Sequence, residues 1–183
     1  MNYFLIILFV LIVVVIVIYN RIIVLINNRK QAFSDIDVQM KLRYDLIPNL
    51  VETVKGYATH EQETLLKVTE FRAKSMHAAT PTGRLAADAA LSGALGSLFA
   101  VAENYPDLKA NQNFLSLQRE LSDIENKIAA ARRFFNNATK EYNSTIAAFP
   151  NNVLSRLFGF REEAFFDLGM EKDAASKPVD VNL

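Results

Sequence analysis

The chain has 183 residues, no Cys, two His, and 20 Lys plus Arg against 20 Asp plus Glu. Without Cys there are no disulfides, no thiol catalysis and no thiolate zinc sites. Two His leave little for a His-rich metal centre, and a formal net charge of zero supplies no global field to recruit nucleic acid.

From Tyr3 to Tyr19 the run YFLIILFVLIVVVIVIY is 17 residues without a charge, Gly, Pro or Ser. As a helix rising about 1.5 Å per residue it reaches roughly 25 Å, a little short of a hydrocarbon core of about 30 Å. Ile22 to Ile26 resume the apolar run, and Arg21 can snorkel its guanidinium to the headgroups. No basic residue precedes the run and no Ala-x-Ala site follows it, so residues 1–30 read as an uncleaved signal anchor with its juxtamembrane segment. Arg21, Arg29, Lys30, Lys41 and Arg43 all lie after it. The positive-inside bias then predicts a single pass with the N-terminus outside and the remainder in the cytoplasm.

The remaining stretch, about 150 residues, suits one domain of ordinary core size, expected over 31–168. Few Gly and Pro, with plentiful Ala, Leu, Asn, Glu and Lys, set helix as the prior. Phe33, Ile36, Met40, Ile47, Leu50, Val54, Tyr57, Val68 and Phe71 hold heptad spacing over a very long first reach. Pro48 opposes it by removing a hydrogen bond and crowding the Tyr44 carbonyl; because the phase continues across it, a kink is favoured over a break. HAATPTG, residues 77–83, reads as a loop around Pro81 and Gly83. Leu91, Leu95, Leu98, Ala102 and Tyr105 form a second seam, and Ser92, Gly93, Gly96 and Ser97 would admit a close neighbour. YPDLKAN, residues 105–111, reads as a turn.

The third seam is the longest: Phe114, Leu117, Leu121, Ile124, Ile128, Ala131, Phe135, Ala138, Tyr142, Thr145 and Phe149, capped by Asn111 or Asn113 and stopped by Pro150. The spacing predicts an all-α fold: one transmembrane helix, then an antiparallel bundle of three long helices plus a shorter fourth. From Gly169 to Leu183 periodicity is lost, and a mobile tail is expected.

KLRYDLIPNLVETVKGYATHE, YPDLKAN with NFLSLQRELSDIENKIAAARRFFN, and YNSTIAAFPNNVLSRLFGF followed by FFD together resemble the LemA family. The resemblance runs from the membrane helix to about Asp167, with three motifs agreeing in order and spacing. It implies a bacterial, N-terminally anchored helical bundle in the cytoplasmic (inner) membrane, with no established reaction. Phe135 stands where the family often carries Tyr.

Two polar groupings invite a functional reading. Continued from Met40, the first seam lands on Arg43 and then on Glu61, each needing a partner from another helix because an isolated buried charge is costly. The third helix offers Glu120, Glu125, Asn126, Arg132, Arg133, Asn136 and Asn137. The bland alternative is a network that merely fixes register. The second grouping is Phe158, Phe160, Phe165 and Phe166, just after Phe149. It could dock as the short fourth helix, dip into the inner leaflet, or present a patch to a protein.

His60 and His77 end no Glu-x-x-His or His-Glu-x-x-His pattern, and neither GxGxxG nor a phosphate loop occurs. No catalytic residue, cofactor or metal is expected. The expected role is a membrane-anchored scaffold or adaptor, partnered by the bilayer and by protein through self-association or a membrane enzyme. The alternative is a regulatory accessory subunit of such an enzyme, for instance a protease.

Overall fold

The computed structural model describes residues 2–78 and 81–166, so the expected tail over 169–183 lies outside the described residues. Among the described residues the regular structure is helical throughout: α1 Asn2–Lys55, α2 Gln62–His77, α3 Pro81–Ala102, α4 Pro106–Lys109, α5 Gln112–Ala147 and α6 Asn151–Phe158. They divide into two units. Residues 2–37 with 129–166 form the first, and 38–78 with 81–128 form the second, the boundaries falling inside α1 and α5.

In the first unit, α1 begins as a helix without neighbours. Tyr3, Phe9 and Val17 are 84%, 68% and 61% exposed, and this is the one described helix long and apolar enough to cross a membrane. Packing starts at Ile22 and Leu25, which close on Tyr142 and Ile146 of α5. Further along, Phe33 meets Phe135 edge to face at 5.7 Å. As numbers rise on α1 they fall on α5, so within this unit the two segments run in opposite directions. Phe149, expected on the seam, is 83% exposed, because Ile146 takes the inward position after Tyr142.

In the second unit, Met40, Ile47, Leu50 and Val54 of α1 are buried at helical spacing, with Arg43 between the first two. The first helix does not run on to Phe71. It stops at Lys55, followed by Gly56 and a turn in which Ala58 N still reaches Val54 O at 2.8 Å. Gly is a poor helix former, and Ala58, fully buried, redirects the chain into α2. α2 packs along α3, and Phe99 of α3 meets Phe114 of α5 at 6.1 Å. Pro81 and Gly83 lie inside α3 rather than in a loop; Pro suits the first helical position, where its missing N–H costs nothing. The expected turn at 105–111 contains the single-turn α4. Asn111 caps α5, its Oδ1 accepting from Phe114 N at 3.0 Å. The small residues of α3 do not serve a close approach at Gly93 or Gly96, where a methyl group would meet no described atom within 4 Å.

α1 passes through Pro48 unbroken. Proline leaves the Tyr44 carbonyl without its helical donor, and Arg72 of α2 supplies one, Nε donating to Tyr44 O at 2.7 Å. The two residues are therefore expected to be energetically coupled. Arg72→Met should cost about 1–3 kcal/mol by taking this donor from a part-buried carbonyl. In a Pro48→Ala background, where an N–H returns, the same change should cost less than about 0.5 kcal/mol. Urea unfolding of the four detergent-solubilised forms measures this, and equal costs in both backgrounds would exclude the exchange.

Candidate functional site

The second unit carries a charged cluster on Arg43, which is fully buried although it stands at an apolar seam position. Each guanidinium nitrogen is engaged. Nη1 donates to Asp88 Oδ1 at 2.9 Å, Nη2 to Ser92 Oγ at 2.8 Å, and Nε lies 2.8 Å from Glu125 Oε1. One arginine of α1 thus ties α3 to α5. Asp88 is 5% exposed and Glu125 43%, so the cluster is closed on the aspartate side and open on the glutamate side. Fully buried and held from three sides, the guanidinium presents no exposed fork to an incoming anion, and the arrangement acts as a clamp.

The other network candidates go elsewhere. Glu61 lies beyond the end of α1 and accepts from Tyr105 Oη at 3.3 Å. Burial first, then the Glu61 carboxylate, holds the Tyr105 phenol above its ordinary pKa. Asn126 and Arg133 have exposed side chains. Arg132 belongs to the first unit, where its guanidinium sits 5.1 Å above the Phe166 ring.

The first unit has its own arrangement. α6 ends at Phe158, and Gly159 adopts a left-handed conformation, φ 76°, which favours glycine. After it, residues 160–166 form a strap without regular structure along α5. The grip is largely on its backbone. Asn143 Nδ2 donates to Glu163 O and its Oδ1 accepts from Glu163 N, both at 2.9 Å. Asn136 does the same to Phe166, at 3.2 and 2.8 Å. Tyr142 Oη donates to Arg161 O at 3.0 Å, and Arg29 Nη2 to Ala164 O at 3.3 Å. Arg29 also donates to Thr139 at 3.1 Å, pairs with Glu163 at 3.2 Å, and lies 4.9 Å above the Phe135 ring.

Burial, with the Glu163 carboxylate adding to it and Arg29 opposing, raises the Tyr142 pKa. The phenol, a donor at neutral pH in any case, keeps its proton further into the alkaline range. A raised folded pKa contributes fully below the unfolded value of about 10 and fades above it.

Of the four candidate interface phenylalanines, three are taken up inside this unit. Phe158 and Phe160 lie 5.2 and 5.8 Å from the Tyr19 ring, and Phe166 lies 6.2 Å from that of Phe135. Phe165, 53% exposed, faces out, and Phe158 keeps 46% of its surface open beside the Tyr19 contact. The fourth helix is accordingly shorter than the aromatic segment, and most of the docking is done by extended chain. Among the described residues no three His, Asp or Glu gather as metal ligands would.

The family model described as the LemA family matches residues 32–183. The chain belongs to the LemA family. Among curated relatives it is similar to Protein LemA of Metamycoplasma hominis, 30% identical over 144 residues, covering 76% of this chain and 64% of that protein. It is also similar to Magnetosome protein MamQ of Magnetospirillum gryphiswaldense, 26% identical over 172 residues, covering 80% of this chain and 62% of the relative. Magnetosome protein MamQ 2 of Paramagnetospirillum magneticum matches over the same shares at 26% identity. The chain thus spans less than two thirds of the length of these relatives.

In this LemA-family chain, Phe135 is 4% exposed and packed among Phe33, Phe166 and Arg29. The ring does its work there without a hydroxyl. Two partners escaped the sequence reading. Asp88 sits one step before Leu91 on the α3 seam, and Arg29 falls between Leu25 and Ala32 on that of α1. Both break an apolar stripe just as Arg43 does, and that was the available signal.

Proposed function

We propose that this LemA-family chain is a single-pass membrane scaffold or adaptor with no reaction of its own. In the finer reading its N-terminus lies outside, and its helices form an antiparallel bundle, three long and one short, on the cytoplasmic side of a bacterial inner membrane. It binds the bilayer and other protein, its own copies included, and neither nucleic acid nor a small-molecule substrate. The carrying observation lies within the first unit. There α1 passes from its bare apolar stretch to the packed residues Ile22–Ile36 without a break. A helix that is anchor at one end and core at the other suits a part that holds others in place. The polar clusters support the reading too, since Arg43 and Arg29 spend their donors inside the fold. Relatives named for the magnetosome fit, because that name refers a protein to a structure rather than to a reaction.

Two measurements test this. A reporter fused after Leu183 should behave as cytoplasmic, and periplasmic alkaline phosphatase activity from that fusion would reverse the orientation. Copurification from solubilised membranes should return further copies of the chain or a non-enzymatic assembly. A stoichiometric membrane enzyme would replace the scaffold reading by that of an accessory subunit.

A further inference from the structure

α6 has a face that the first unit does not use. Ser155 is buried, and Phe158 is turned onto Tyr19. Val153 and Leu157, four apart and so on one side of the helix, are 59% and 74% exposed, and Phe149 just before the helix is 83% exposed. Asn152 and Arg156 complete a shallow groove with Val153 and Leu157. Val153 and Leu157 thus make a bare apolar stripe, and Phe149 adds a third bare apolar side chain four residues before Val153.

The register of the unit says where this face lies. Phe33 meets Phe135, Arg29 meets Thr139, and Ile22 and Leu25 meet Tyr142 and Ile146. The next step along α5 leads to its end at Ala147 and into α6, which reaches Tyr19 through Phe158. Tyr19 closes the apolar run that begins at Tyr3. α6 therefore sits beside α1 at the level where packed helix gives way to bare apolar helix, flanked by the exposed cations Arg21, Arg156 and Arg161. We propose that α6 is a second membrane contact: Phe149, Val153 and Leu157 enter the acyl boundary of the leaflet that α1 leaves at Tyr19, with the arginines among the headgroups. Glu141, Glu162 and Glu163 lie in the same unit, and they offset the arginines, so the surface fits zwitterionic lipid without requiring anionic lipid.

This rests on α1 spanning the bilayer, and the test separates the two. The chain has no Trp, so one introduced indole reports alone. Leu157→Trp and Val153→Trp in the full chain, reconstituted into phosphatidylcholine vesicles, should emit to the blue and be quenched by lipid brominated near the headgroup. Arg133→Trp, at an exposed position earlier in α5 and away from α6, should emit as a water-exposed indole and stay unquenched. Phe9→Trp should be quenched by deeply brominated lipid. If Phe9→Trp is quenched while both α6 indoles remain red and unquenched, α6 does not touch lipid and the proposal fails alone. Blue emission from α6 that ignores brominated lipid means a second copy or another protein covers the face, which also overturns it. If the Phe9 indole is unquenched as well, the anchor reading falls with it.

Discussion

Arg43→Met is expected to destabilise the chain by about 3–5 kcal/mol, the usual cost of removing one member of a buried ion pair. The loss follows from what stays behind. Asp88, 5% exposed, would keep its desolvation cost with no guanidinium 2.9 Å away. The asymmetry of the cluster gives the prediction its discriminating power. Arg43→Met with Asp88→Leu should recover most of the loss, since both buried charges go together. Glu125, 43% exposed, retains water, and Glu125→Gln should cost less than about 1 kcal/mol. Urea midpoints of the three variants at constant slope would show this ordering. If Arg43→Met unfolds no more easily than Glu125→Gln, the clamp carries no net stability.

The second large effect belongs to the α5 seam. Leu121 and Ile128 are 3% and 1% exposed, and truncating either to Ala should cost about 2–5 kcal/mol through lost transfer energy plus the cavity left behind. Lys140→Ala, on the exposed face of the same helix, should cost less than about 0.5 kcal/mol. Equal losses at seam and surface would mean that α5 does not face inward along this stripe.

Helix identity was legible because long seams carry it in many residues at once. The α5 stripe from Phe114 to Tyr142 needs no single position to be right. Ends were less legible, because each turns on one or two residues. Gly56 ends α1 although the heptad phase continues beyond it, and phase alone cannot report a change of direction. Pro48 looked like the weak point, yet its missing donor comes from Arg72, whose position follows only from the turn of chain between Lys55 and Gln62.

The charged cluster was half legible. Arg43 stands out as a cation on an apolar stripe and Glu125 lies on the long third helix, but Asp88 sits in a segment where small side chains blur the seam. The strap was the least legible part. An extended segment held chiefly by amide-to-backbone bonds has no period. Its anchor Asn143 resembles an ordinary solvated residue when read alone, and Asn136 stood out only as a partner for the charges of the first seam.

Those two asparagines act as a ruler. Seven residues of helix separate them, about 10.5 Å of rise, while the residues they hold, Glu163 and Phe166, are three apart, about 10 Å of extended chain. The two scales coincide at this interval, as the marks of a vernier do, and one residue more or fewer in the strap would throw the second clasp out of alignment. Because the clasps read main chain, the letters at 164 and 165 are free to change while their number is not. Substitutions at these two positions should be accumulated easily, and insertions or deletions hardly at all.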